Sequence, residues 1–344
     1  MRLSVLDQSP VPEGSTGADA LRNTLDLARR ADALGYHRYW LAEHHGTPML
    51  ASTSPEVLIA AVAGATARIR VGSGGVMLPH YSPLKVGEQF SVLSALHPGR
   101  IDLAVGRAPG TDPLTTFALQ RDRRQAGPDD FPDQLAELIA YVDGTLPPDH
   151  PFARLVALPG LPERPALWLL GSSPQSAIWA AQLGLPYAFA DFINPAGAEI
   201  AAVYRDRFEP SSQLERPYLC VASSVVCAET DGEAGQLAAS GRMTYRMLRQ
   251  GRPIPIPPPD KALRYLAEAG ASASPSGRRG IVGSPRAVKD GLDAVAAEYG
   301  ADELMVVTIT YDHEARRRSY ELVADAFGLR PTADASVDTA ARSS

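Results

Sequence analysis

Cysteine is nearly missing from this chain: Cys220 and Cys227 are the only two in 344 residues. Both lie in one apolar run, Tyr218 to Ala228. They read as buried thiols, which excludes a disulfide framework and leaves too few thiolates for a metal site. Positive charge is not in excess either. Against 39 Asp and Glu stand 33 Lys and Arg, a net charge of −6, so the basic stripe of a nucleic-acid binder is not expected. The short basic runs Arg121 to Arg124 and Arg316 to Arg318 read as solvated surface. No apolar run reaches the ~20 residues that span a bilayer. The first residues enter a strand, Leu3 to Asp7, without a charged and then apolar leader. A cytoplasmic chain with no membrane contact is the expectation. No G-x-G-x-x-G follows that strand, which argues against a dinucleotide-binding open sheet. No H-x-H or H-E-x-x-H spacing occurs, and no metal is expected.

What is present is alternation. Strands are expected at 3–7, 38–42, 69–77, 101–105, 166–170, 186–190, 217–227 and 303–310. Helical patterns follow at 18–34, 55–67, 83–96, 133–143, 175–184, 196–208, 231–249, 285–299 and 312–327. The first helix carries Leu21, Leu25, Ala28, Ala31 and Leu34 at helical spacing and closes on Gly35. Alternating βα units imply a parallel sheet, and eight of them suggest a closed (β/α)8 TIM barrel of ~250 residues. The excess length lies in two proline-rich insertions, 108–165 after strand 4 and 250–284 after strand 7. Within the second, Pro253 to Pro259 fits neither a helix nor an interior strand, and only 260–269 reads as helical. Residues 1–330 are expected to form one domain, and 331–344 a frayed tail.

In such a barrel, function sits where strands end. Strand 2 ends in Glu43, His44 and His45, polar groups too costly to bury without a purpose. Successive strand residues face opposite ways, so the two imidazoles do not readily share one ion; a direct chemical role is the favoured reading. Strand 3 ends in Gly72-Ser-Gly-Gly75, which either lets backbone approach a flat ligand or keeps the strand thin for packing. Gly171-Ser172-Ser173-Pro174-Gln-Ser176 opens a helix with a serine cap and a first-turn proline. Its free N–H groups form an anion site. Ser173 and Ser176 can add hydroxyls, and Arg107 a charge-assisted hydrogen bond.

Taken in order, Glu43-His44-His45, the glycine-rich third strand with Pro79-His80-Tyr-Ser-Pro83, His97-Pro-Gly-Arg-Ile-Asp-Leu-Ala-Val-Gly-Arg107 and Gly171-Ser-Ser173 resemble the bacterial luciferase-like flavin monooxygenases, alkanal-monooxygenase type, over about residues 1–330. The resemblance implies FMN with its phosphate near Arg107, Ser173 and Ser176. It implies a ring against Gly75, Val76, Met77 and Leu78, beside a non-prolyl cis peptide. Reduced FMN from a separate flavin reductase would react with O2 next to a small organic substrate. His44 would be the acid/base, with a pKa near working pH, oriented by Glu43 and His45. The stretch 250–284 would be a mobile loop over the active site, and pairing as a homodimer would use helices beside strands 2 and 3. Relatives that use deazaflavin for hydride transfer, or that bind flavin without catalysis, share the pattern. Val105 and Gly106 stand where luciferase has a reactive cysteine, so light emission is not implied.

Overall fold

The computed structural model describes residues 1–108, 112–119, 130–160, 163–194, 196–270 and 280–331. In chain order the elements are β1 (Arg2–Asp7), α1 (Gly17–Leu34), β2 (Arg38–Leu41), α2 (Pro55–Ala65), β3 (Arg70–Ser73), β4 (Val76–Met77), α3 (Pro83–Leu96), β5 (Ile101–Gly106), α4 (Pro113–Leu119) and α5 (Phe131–Asp143). Then come β6 (Ala166–Gly171), α6 (Pro174–Gln182), β7 (Tyr187–Ala190), α7 (Ala198–Asp206), β8 (Leu219–Cys227), α8 (Asp231–Arg249), α9 (Pro259–Glu268), β9 (Gly280–Gly283), α10 (Pro285–Tyr299), β10 (Glu303–Val307) and α11 (His313–Ala326).

All strand pairings are parallel. The ring runs β1, β2, β3, β5, β6, β7, β8, β10 and closes on β1. This is the (β/α)8 barrel expected from the alternation. Two short strands were not expected. β4 resumes the third strand after a break, and β9 pairs with the far half of β8, at Ser224 to Cys227.

Alternation along each strand sorts the side chains into two cores. Trp40, Ala104, Trp168, Cys220 and Met305 point into the barrel, while Tyr39, Leu41, Leu103, Leu169 and Val306 point out against the helices. The bottom of the barrel is polar. Arg38 bridges Asp102 at 2.8 Å and Glu303 at 3.1 Å, and Arg70 reaches Asp102 at 2.6 Å. Trp40 Nε1 donates to the same Asp102 at 2.9 Å, across the place where a Gly72 side chain would stand. Both cysteines are free and buried.

Local chemistry sets the helix ends. Thr16 and Asp19 form a reciprocal cap on α1, and Gly35 ends it at φ +88°. α4 was not expected, because its short pattern buries no residue; its signal was Asp112 before Pro113, with Asp112 accepting from the Leu114 and Thr115 N–H groups. Arg316, read as solvated, is instead buried. It donates to Asp7 at 2.6 Å and to the Thr308 carbonyl, because Asp7 is fully buried and needs a counter-charge. Its neighbour Arg318 is exposed, while Arg121 to Arg124 lie outside the described residues.

Within 250–284, α9 falls where a helix was expected. Ile256 is tied down by its N–H to the Val11 carbonyl and its own carbonyl to the Glu13 N–H, at 2.9 and 2.8 Å. Residues 271–279 and 332–344 lie outside the description. Among the described residues no helix is long and apolar enough to cross a membrane.

Candidate active site

At the carboxyl ends of the strands the barrel opens into a cavity of ≈ 610 Å³. Glu43, His44, Gly75, Met77, Arg107, Gly171, Ser172, Ser173 and Ser176 all line it. Val76 and Leu78 do not: their side chains belong to the outer core, since they fall on the opposite face from Met77. His45 lines a neighbouring cavity of ≈ 680 Å³, which shares Gln8, His44, Phe192 and Ile193 with the first.

The rim near strand 2 is built around one carboxylate. Glu43, 1% exposed, accepts the Met77 N–H at 2.9 Å and the Tyr81 hydroxyl at 2.8 Å. His45 Nε2 lies 2.7 Å from it. Burial, with the adjacent Glu43 charge, raises the Tyr81 pKa and keeps the phenol a donor. His44 is bound through its backbone, N–H to the Ser52 carbonyl at 2.9 Å. Its Nδ1 is buried with no hydrogen-bond partner. Burial, and then the neighbouring His45, lowers its pKa to about 4. The expectation of a pKa near working pH is therefore corrected: His44 is a neutral imidazole at pH 7.

Gly72 and Gly75 are required by packing against backbone, whereas at Gly74 only the tip of the flexible Leu6 side chain is in the way. A Cβ on Gly74 would stand 2.3 Å from Leu6, and one on Gly75 2.6 Å from the Ala104 carbonyl. Both nevertheless present bare backbone to the cavity, and the peptide bond between them is cis. Ser73 fills the break in the ladder by accepting the Ala104 N–H at 2.9 Å and donating to its carbonyl at 2.7 Å.

At the opposite end β6 turns into α6. Ser173 caps the helix and accepts the Ser176 N–H at 3.4 Å. The Ser176 hydroxyl turns inward, 2.8 Å from the Ser173 carbonyl and 2.9 Å from the Tyr187 hydroxyl. It holds the turn together, while Ser173, whose hydroxyl caps the helix, is exposed. Gly171 makes this possible, since a Cβ there would sit 2.1 Å from Ser176 Oγ. Asn194 donates to the Ser172 carbonyl at 3.1 Å. The Arg107 guanidinium lies 5.9 Å from the Trp179 ring centre, beside the helix start.

This donor set fits a phosphate monoester: a helix N-terminus, a hydroxyl and a guanidinium around one end of a cavity. The rest fits a flat ring. A Cβ on Gly106 would meet nothing within 4 Å, so its backbone is open to the cavity. Trp179, Tyr187, Asn194 and Tyr81 were not assigned roles from sequence. Trp179 follows Ser176 by three helical positions and Tyr81 lies inside the Pro79 to Pro83 motif, so both had a readable signal; Asn194 had none.

The geometry agrees with the comparisons. The chain is 42% identical over 331 residues to a luciferase-like monooxygenase of Escherichia coli (strain K12), covering 94% of this chain and 96% of that one. It is 38% identical over 332 residues to the N-acetyl-S-alkylcysteine monooxygenase of Bacillus subtilis (strain 168), covering 95% and 98%. The crystal structure of apo-MsnO8 is similar with a TM-score of 0.88 and 44% identity, over 96% of this chain and 99% of that one. The profile of the luciferase-like monooxygenases matches residues 1–303, and the chain belongs to that family.

Proposed function

We propose that this protein is a flavin-dependent monooxygenase that uses reduced FMN and O2 on a small organic substrate, with residues 1–330 acting as one catalytic domain. One observation carries the reading: a single cavity joins an anion seat at Arg107 and the start of α6 to a buried, unpartnered imidazole nitrogen on His44.

When bound, reduced FMN would supply the electrons that activate O2. Arg107, the Ser173 hydroxyl and the positive end of the α6 dipole would hold the phosphate. Bare backbone at Gly74, Gly75 and Gly106 gives the ring its flat walls. Apolar Leu6, Trp40 and Phe192 keep water from the reacting end. His44 Nδ1, neutral and desolvated, takes or gives one proton there, according to its tautomer. Glu43 fixes the rim through Met77 and Tyr81, and orients His45. The electrons come from a separate flavin reductase. Since a relative acts on N-acetyl-S-alkylcysteine, thioethers are the first substrates to test.

The test is an anaerobic titration of the full chain with FMN, reduced FMN and deazaflavin, followed by O2 uptake with a reductase and thioethers. Tightest binding of reduced FMN and substrate-dependent O2 consumption are expected. Uptake of the deazaflavin alone would overturn the reading.

A further inference from the structure

We infer that Gln8 is a substrate-recognition residue, whose carboxamide, placed where the two cavities meet, pairs with an uncharged amide edge, an N–H beside a C=O. The inference rests on the flavin reading of the first cavity and deepens it.

The backbone aims this side chain. Gln8 follows Leu6 by two positions, so both fall on the inner face at the end of β1 and line the first cavity. Asp7, between them, faces outward and accepts from Arg316 at 2.6 Å and from the Ser9 N–H at 2.7 Å. Ser9 stands at φ +48°, the one non-glycine residue with positive φ among the described residues. An L side chain disfavours that conformation, which persists only where the surroundings enforce it. Here Asp7 holds the Ser9 N–H, Thr24 its hydroxyl at 2.8 Å, and the Ala51 N–H its carbonyl at 2.9 Å. The Gln8 carbonyl in turn accepts the Ser52 hydroxyl at 3.0 Å. The main chain of Gln8 is thus pinned on both sides.

Its side chain is not. Gln8 is only 8% exposed, yet its carboxamide makes no hydrogen bond to any described residue. A carboxamide so far out of water is costly to leave unpaired, and a ligand in the cavity can supply the missing partners.

The chemistry of the junction selects the ligand. Gln8, His44, Phe192 and Ile193 are common to both cavities. None of the four carries a charge at pH 7, since His44 is neutral there. A carboxamide offers N–H and C=O side by side, and an amide with the same edge satisfies both. An ester leaves the Gln8 N–H idle, and a carboxylate sets its charge against the Gln8 oxygen. The flavin ring also has an amide-like edge. Gln8, however, lines the second cavity as well, which shares neither the glycine walls nor the anion seat of the first.

The test uses the full-length protein, bare and loaded with FMN, titrated calorimetrically with three methyl thioethers that differ only in their end group: primary amide, methyl ester and carboxylate. The parent should bind the amide about tenfold more tightly than the ester, the weight of one hydrogen bond otherwise unmade, and the carboxylate no better than the ester. Gln8→Met, close in shape but unable to pair, should bind amide and ester alike, and FMN and riboflavin as the parent does. The parent's own preference decides the matter even if the variant is unstable. If the parent takes up no FMN, the reading of the first cavity fails, and the bare chain still decides the role of Gln8. If the parent shows no preference for the amide, if Gln8→Met keeps that preference, or if the variant loses riboflavin along with the amide, this inference fails.

Discussion

The Glu43 carboxylate accepts the backbone N–H of Met77 at 2.9 Å, and so ties the end of β2 to β4 across the mouth of the barrel. The same group accepts from Tyr81. Glu43→Gln replaces one acceptor oxygen with a donor that faces donors. It should destabilise the protein by about 1–3 kcal/mol, the cost of leaving a buried group unsatisfied. The readout is a lower urea midpoint at constant slope. FMN affinity should fall with it, because Met77 is on the cavity wall. An unaltered midpoint would show that these contacts carry no stability.

Arg107 and the helix start are proposed to recognise phosphate and nothing else of the cofactor. Arg107→Ala should therefore weaken FMN binding by ~10- to 100-fold, the range for a hydrogen bond to a charged group. Riboflavin, which lacks the phosphate, should bind the parent and the variant equally. Equal losses for both flavins would place Arg107 elsewhere in the site.

His44→Asn keeps polarity and removes the imidazole. FMN affinity should hold, while product formed per O2 consumed should drop ~10²-fold, the usual scale of acid/base assistance. The lost oxygen should appear as hydrogen peroxide. Parent-like yield would remove His44 from the chemistry.

The same residue makes a prediction about stability. Its folded pKa is about 4, against an ordinary 6.5, so the unfolded chain takes up the proton first. The stabilisation is full above pH ~6.5 and is lost as pH falls from there toward 4, amounting to about 3 kcal/mol. His37 is lowered to about 4 as well, chiefly by burial, so the parent alone cannot isolate the effect. Urea midpoints of parent and His44→Asn at pH 7.5 and 4.5 do so: the difference between the two proteins should shrink or reverse at the lower pH.

The sequence made the architecture legible because each βα unit carries its own signal. Strand apolarity, helix periodicity, the Thr16 cap and Gly35 are all local. The polar strand ends were legible for the same reason, since Glu43, His44 and the Gly171 to Ser176 turn stand where a barrel exposes its chemistry. What depends on packing across the ring was not legible. Val76 looked equivalent to Met77 until the pleat put it on the other face. Arg316 looked solvated until Asp7, some three hundred residues earlier, supplied its partner. For Gly72 and Gly75 the sequence left open whether they serve a ligand or packing; Asp102 and Ala104 leave no room for a side chain at either, and Gly75 also faces the cavity. His44 looked like a neutral-pH titrator because burial cannot be read from a strand end.

The barrel floor offers a test of how the cavity is supported. Asp102 is wholly buried and accepts from Arg38, Arg70 and Trp40. Burial works against its charge, but the two guanidiniums outweigh that and hold its carboxyl below the usual range. Its stabilisation is thus present above the ordinary carboxylate pKa and lost as pH falls through the folded value. Asp102→Asn keeps the shape but leaves two positive groups facing a neutral amide. Removing one partner from a buried ionic cluster typically costs 3–5 kcal/mol, and a loss of about that size is expected from urea unfolding at pH 7. Arg38 also lies 4.7 Å from the Trp168 ring centre, and Trp40 is on the cavity wall. The disturbance should therefore reach the site as weaker flavin binding. A variant that unfolds at the parent's urea midpoint would mean that Glu303 alone neutralises the arginines, and that the floor does not support the mouth.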